Sequence, residues 1–156
     1  MKPINPYIEA LLRRYYIMPT VITKLEKYIK KKCYGSKEDP RPVDKQFEPI
    51  AEAVTKRYDL VVLYEITKEL LGKVSEEDYE ILKYYYCLEG VWDKLPDHIN
   101  FPTRNHFMRR ANEIVEKMVP MLDEIEVDKT WLAKFINGTP FLLQTIPYHK
   151  QIHYFN

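Results

Sequence analysis

Apolar residues recur along this chain at the three- and four-residue spacing of an α-helix. The pattern predicts helices over residues 5–18 and 20–34 and a long helix that begins at Phe47 or Pro49 and ends at Leu71. Residues 36–49 contain three prolines and several charges, which predicts a loop between the second and third helices. No stretch alternates apolar and polar positions over a strand's length, so the chain is predicted to be all-α.

Residues 75–119 show the same spacing in shorter segments. Ser75 precedes three acids and predicts a capped helix that ends at Gly90. Trp92, Leu95 and Ile99 predict a short second helix, and the residues after it form a turn. A longer third helix follows, with an inward face made of Phe107, Ala111, Ile114, Val115 and Met118. Three helices in this order are typical of a helix-turn-helix.

The inward phase of the third helix leaves a polar outer face that carries the candidate binding residues. Residues 103–112 contain three arginines and no acid. Such donors can bind guanine, adenine or phosphate oxygens, and Thr103 suits the N-cap. The predicted site for double-stranded DNA consists of Thr103, Arg104, Asn105, His106, Arg109 and Arg110. The alternative is an ordinary amphipathic helix with a solvated polar face.

Residues 120–156 form a third segment. Pro120 is expected to end the preceding helix, and Asp128 or Thr130 to cap another that ends at Asn137 and Gly138. The tail 140–156 is rich in aromatic and aliphatic residues, whereas free tails are usually polar. It is therefore expected to pack on its own domain, across a homodimer, or on a partner such as RNA polymerase.

Composition excludes several functional classes and leaves others open. The 156 residues are 46% hydrophobic and 30% charged, which is typical of a globular domain. No apolar run is long enough for a membrane span and no signal pattern is seen, so we expect a cytoplasmic protein. The two cysteines lack metal-type spacing and are expected to be reduced core residues. Phosphate-binding loops, nucleophile elbows and ligand clusters are absent, so neither enzyme activity nor a metal or cofactor is expected.

Charge is distributed unevenly although the net charge is only +1. Residues 1–34 carry eight lysines and arginines against two acids, and residues 35–90 carry eight against thirteen. The run of lysines at 30–32 suits the C-terminus of a helix, with phosphate contact as the alternative. Local basic patches fit a modest DNA-binding module, and they fit a protein that pairs with itself equally well.

Residues 75–119 resemble the region-four DNA-binding module of sigma factors. The resemblance is carried by DYEILKYYYCLEG at 78–90, WDKLPDHI at 92–99 and TRNHFMRRANEIVEKM at 103–118. It is strongest to the phage-encoded transcriptional activators of the RinA and ArpU kind, which are built on this module. The resemblance implies that the helix beginning near Thr103 reads DNA and that RNA polymerase is a partner.

Two departures from that family concern the segment before the third helix. Pro96 stands where the family has a small, helix-favouring residue, so the Trp92 helix is expected to start late or to be distorted. The turn at 100–102 is one residue longer than in the family. Either departure would change the tilt of the third helix.

These observations together predict an all-α helical bundle with a C-terminal helix-turn-helix and an apolar tail. Residues 1–74 would support the module or oligomerise, 75–119 would bind DNA, and 120–156 would form the final helix and tail. The expected function is a sequence-specific, phage- or prophage-encoded transcriptional regulator. The alternatives are a packaging component of the terminase small-subunit type and a protein-interaction module that binds no nucleic acid.

Overall fold

A computed structural model of the chain describes residues 2–35, 42–88 and 92–154 and shows an all-helical protein. Within those residues there are seven α-helices and no strand, which confirms the predicted all-α class. The helices are α1 (Asn5–Arg14), α2 (Met18–Gly35), α3 (Val43–Gly72), α4 (Glu76–Leu82), α5 (Arg104–Glu124), α6 (Lys129–Asn137) and α7 (Pro140–Leu143). A π-helical turn occupies Lys83–Cys87, and 3-10 turns occupy Trp92–Lys94 and Tyr148–Lys150. None of these helices combines the length and apolarity needed to cross a bilayer.

The chain packs into two compact units. The larger unit comprises residues 1–15 and 66–156, and the smaller comprises residues 16–65. The smaller unit therefore consists of α2 and most of α3, while α1 and α4 to α7 belong to the larger unit.

Helix α1 lies at the centre of the larger unit. It packs against α5, the π-helical turn and α7. Six of its ten residues are buried: Pro6, Tyr7, Ile8, Ala10, Leu11 and Leu12. Arg14 extends its end toward α7, where its Nε donates to the Phe141 carbonyl oxygen at 3.0 Å and its guanidinium lies 4.8 Å from the ring centre. A helix surrounded on so many sides must be apolar over most of its circumference.

Tyr7 connects α1 to the C-terminal segment through two hydrogen bonds. Its hydroxyl donates to Asn137 Oδ1 at 2.7 Å and accepts from the Ile152 backbone N–H at 2.9 Å. Asn137 Nδ2 in turn donates to the Ile152 carbonyl oxygen at 2.8 Å. Burial raises the pKa of Tyr7 above its usual value, so the hydroxyl stays protonated at neutral pH. This network fixes Ile152, which is itself buried, against the first helix.

Prolines end fewer helices than the sequence predicts. Pro19 occupies the second position of α2, Pro49 lies inside α3, and Pro120 lies inside α5, which continues to Glu124. The predicted start of α3 at residue 47 or 49, and the predicted end of α5 at Pro120, were therefore wrong. Near a helix start a proline removes only an N–H that has no partner. Pro120 is exposed, so water can satisfy the carbonyl that its missing N–H would have bound.

Two predicted N-caps are confirmed. The Ser75 hydroxyl accepts the Asp78 backbone N–H at 3.1 Å at the start of α4. Asp128 Oδ2 accepts the Trp131 backbone N–H at 2.9 Å at the start of α6, which ends at Asn137 before Gly138. Each side chain satisfies a donor that the helix itself leaves unbonded.

The two cysteines lie in different surroundings. Cys87 is half-buried in the π-helical turn, its Sγ donates to the Leu12 carbonyl oxygen at 3.2 Å, and burial raises its pKa to about 12. Cys33 is exposed on α2, so the expectation that both cysteines are core residues was wrong for Cys33. Both are free thiols, as expected.

We expect Tyr7→Phe to lower the free energy of unfolding by about 1–3 kcal/mol, because it leaves the buried Ile152 N–H without an acceptor. Urea denaturation followed by far-UV circular dichroism measures the change. Tyr148→Phe is the matched control, since that side chain is 76% exposed. Equal stabilities for the two variants would contradict the role given to the Tyr7 hydroxyl.

We expect iodoacetamide to label Cys33 much faster than Cys87 near pH 8, because a thiol with a pKa of about 12 is almost entirely protonated there. Peptide mass spectrometry of the native protein reads both sites. The same shift makes the native state hold a proton that the unfolded state releases. The free energy of unfolding should therefore fall between about pH 9 and pH 12, and Cys87→Ala should remove this contribution. Equal labelling rates would contradict the burial of Cys87.

Candidate nucleic-acid interface

Helix α5 begins with the side-chain cap that the sequence predicts. Thr103 has extended backbone angles, and its hydroxyl accepts the His106 backbone N–H at 3.3 Å. The His106 ring returns to the same hydroxyl, with Nδ1 2.7 Å from Oγ1. The cap leaves the first backbone N–H groups of α5 available at the helix end, where the dipole favours an anion.

The inner face of α5 is buried in the predicted phase. Phe107 is 3% exposed, and the four residues that follow on this face have no exposed surface: Ala111, Ile114, Val115 and Met118. This face packs on α1, α4 and the π-helical turn. The orientation of α5 about its own axis is thereby fixed, and so is the set of side chains that faces outward.

Phe107 is held by three aromatic neighbours. Its ring centre lies 5.3 Å from Tyr85, 5.3 Å from Phe101 and 5.8 Å from Trp92. Tyr85 also packs edge-on against Tyr86 at 4.7 Å. The run of three tyrosines therefore contributes to packing around α5, and aromatic pairs at these distances add to the stabilisation that burial provides.

Two polar contacts fasten the next turn of α5. The Tyr86 hydroxyl donates to Asn112 Oδ1 at 3.1 Å, and burial raises the pKa of Tyr86 well above its usual value, so the donor stays protonated. Arg110 Nη2 lies 2.7 Å from Asp78 Oδ1 of α4, and Arg110 Nη1 lies 3.5 Å from Glu113 Oε2. The sequence placed Arg110 and Asn112 among the outward donors, whereas both side chains are engaged within the larger unit.

The remaining predicted residues form an exposed basic face. Arg104, Asn105 and Arg109 are exposed, and neither arginine forms an ion pair with any residue that the structure describes. Met108 lies between them in the chain and is 38% exposed, one helical turn after Arg104. The helical spacing indicated Met108, but sequence reasoning passed over it because methionine is usually a core residue.

The segment before α5 differs from the prediction. Only Trp92–Lys94 is helical, as a single 3-10 turn, so the predicted helix over 92–99 was wrong. Pro96 has no N–H for the Trp92 carbonyl and disfavours the helical conformation at Leu95, as the expected distortion anticipated. A turn closed by the Ile99 N–H and the Pro96 carbonyl oxygen at 2.9 Å follows, and Ile99 is buried without a helix around it.

The outer face of α5 has to be interpreted from its own contacts. No family model, curated protein or solved structure matches this chain. Among the residues that the structure describes, no group of three histidines, cysteines, aspartates or glutamates is placed to hold a metal ion. The distinctive features are a capped helix start, a fixed inner face and an outer face with two unpaired arginines.

We expect Phe107→Ala to lower the free energy of unfolding by about 3–5 kcal/mol, because it removes a buried ring from the centre of the aromatic cluster. Met108→Ala is the matched control at the next position of the same helix. It should change stability by less than about 0.5 kcal/mol, since its side chain faces solvent. Chemical denaturation measures both. Similar losses in the two variants would show that the phase of α5 is wrong.

Proposed function

We propose that this protein is a sequence-specific double-stranded DNA-binding transcriptional regulator, whose helix α5 enters the major groove with its N-terminal half. The observation that carries the proposal is the exposed pair Arg104 and Arg109, together with Asn105, on a helix whose opposite face is fixed in the core. A row of donors on a rigid, amino-terminal helix segment is the arrangement that reads base edges.

The exposed side chains match the chemistry of the groove. Arginine binds the O6 and N7 atoms of guanine with two hydrogen bonds, and asparagine binds the N6 and N7 atoms of adenine in the same way. The exposed thioether of Met108 is an apolar group suited to contact with a thymine methyl. Thr103 and His106 at the start of the helix lie beside backbone N–H groups suited to a phosphate.

Arg110 receives a different role from the other two arginines. Its ion pair with Asp78 joins α5 to α4 across 32 positions of sequence, and its side chain is only 30% exposed. We assign Arg110 to positioning α5. Arg104 and Arg109 are assigned to DNA.

The 3-10 turn at Trp92–Lys94 limits how far the proposal relies on a complete helix-turn-helix. The support for α5 comes from α1, α4 and the π-helical turn, together with the Trp92 ring. The resemblance of residues 75–119 to sigma region four and to the RinA and ArpU activators adds RNA polymerase as a proposed partner. That resemblance also underlies the proposed phage or prophage origin.

We expect the double variant Arg104→Ala/Arg109→Ala to bind duplex DNA more weakly and with a flatter salt dependence. Each lost phosphate contact should reduce the slope of log K against log salt by about one unit. Where an arginine contacts a base, discrimination between sequences should fall by roughly 1–3 kcal/mol. Fluorescence anisotropy with a random duplex at several salt concentrations measures the slope, and selection from a random library identifies the preferred site.

Arg109→Ala and Arg110→Ala form the matched pair, since they remove the same charge at neighbouring positions. Arg109→Ala alone should flatten the salt dependence, whereas Arg110→Ala should lower stability and leave the slope near that of the unmodified protein. Circular dichroism confirms that each variant is folded at the temperature of the binding measurement. Unchanged affinity and slope in the double variant would exclude α5 as a DNA-binding helix.

A further inference from the structure

The smaller unit has helices with apolar faces that its own residues do not cover. Among the described side chains from Pro19 to Glu52, none is buried. Yet α2 carries Ile22, Leu25 and Ile29 after the buried Met18, at spacings of four, three and four residues. A helical face of this kind normally lies against another helix.

A second uncovered face lies on the first half of α3. Phe47, Ala51, Val54 and Tyr58 follow one another at spacings of four, three and four residues, and all four are exposed. Phe47 is 56% exposed, Val54 48% and Tyr58 63%. The buried residues Ala53 and Leu60 lie well over a quarter of a turn away around the helix, at roughly 100° per residue. The exposed stripe is therefore separate from the face that α3 already buries.

The spacing specifies the kind of surface that would cover these faces. A repeat of four and three residues keeps apolar side chains in line along a helix axis, which suits side-by-side packing of helices. A flat sheet or a small ligand does not need that repeat.

Charge specifies which helix it is. Helix α2 has five lysines and one acid, Glu26, and within the chain Glu26 already pairs with Arg57 of α3, with Nε and Oε1 2.9 Å apart. None of the five lysines pairs with a carboxylate among the described residues. Residues 43–65 of α3 carry five acids and three basic residues. An acidic helix with an uncovered apolar stripe thus complements a basic helix with an uncovered apolar stripe.

We infer that the smaller unit is a homodimerisation module in which α2 of one copy packs on the first half of α3 of a second copy. Two-fold symmetry then supplies the reciprocal contact, so both helices of both copies cover their apolar faces. The result is four helices around a shared core, the arrangement that short helices with one apolar face commonly adopt. This inference does not depend on the proposed DNA-binding function.

Sedimentation equilibrium of the full chain without DNA, from about 1 to 100 μM, tests the inference. We expect a dimer. Tyr58→Glu, which places a charge in the exposed stripe of α3, should raise the dimer dissociation constant by roughly tenfold or more. Tyr148→Glu is the matched control, because it replaces an equally exposed tyrosine of the larger unit and should leave the constant unchanged. Far-UV circular dichroism reports whether each variant keeps its helices.

Charge reversal provides a second test that does not alter an apolar residue. Lys27→Glu/Lys31→Glu on α2 should weaken the homodimer, and Glu48→Lys/Glu52→Lys on α3 should do the same, because each places like charges on facing helices. Mixing the two variants should restore a heterodimer, since an acidic α2 then faces a basic α3 and the reverse. Pairing of α2 with α2 would leave the first variant no weaker than the unmodified protein.

Three results would overturn the inference. A monomer at every concentration would show that no second copy covers these faces. A dimer that Tyr58→Glu leaves intact would place the interface elsewhere. A closed ring of more than two copies would replace the reciprocal two-fold contact with a head-to-tail one.

Discussion

The larger unit depends on the burial of α1. This helix is ten residues long and contacts α5, α7 and the π-helical turn, so it forms the surface on which the others are placed. Its Tyr7 hydroxyl binds both Asn137 and Ile152, which fixes the last described part of the chain to the first helix. Because the inner face of α5 packs against α1, the outward direction of Arg104 and Arg109 is set by a helix nearly 100 residues away in sequence.

The basic residues of α5 divide according to the availability of a carboxylate. Arg110 lies where α4 brings Asp78 within 2.7 Å, and the pair joins two elements that both carry the core. Arg104 and Arg109 meet no such partner among the described residues and remain hydrated. A hydrated guanidinium on a rigid helix has its full hydrogen-bonding capacity available for a ligand, whereas a paired one has already used part of it.

Local patterns in the sequence predicted the local features of the fold. The caps at Ser75, Thr103 and Asp128 and the inner face of α5 each depend on residues a few positions apart, and all are confirmed. The Arg110–Asp78 pair spans 32 positions, and no local signal announces it. Pro96 was recognised as a disturbance, yet how much of the Trp92 helix would survive depended on packing around Phe107. Periodicity likewise shows that a helix has an apolar face, but it does not show whether the fold covers that face. That is why the exposure of Cys33, and of the smaller unit in general, was not anticipated.

The two proposals together address a weakness that each has alone. One copy of α5 offers two unpaired arginines and one asparagine, and so few contacts supply only modest affinity at physiological salt. A dimer carries two copies of α5. Once the first has bound a duplex, binding of the second becomes intramolecular, and the linkage can raise the overall affinity by orders of magnitude without any new kind of contact. The site recognised by such a dimer would then have two half-sites, as in the dimeric helix-turn-helix proteins, with a spacing set by the distance between the two helices. The near-neutral charge of the whole chain agrees with this arrangement, because binding would depend on two local basic faces rather than on a general attraction to phosphate.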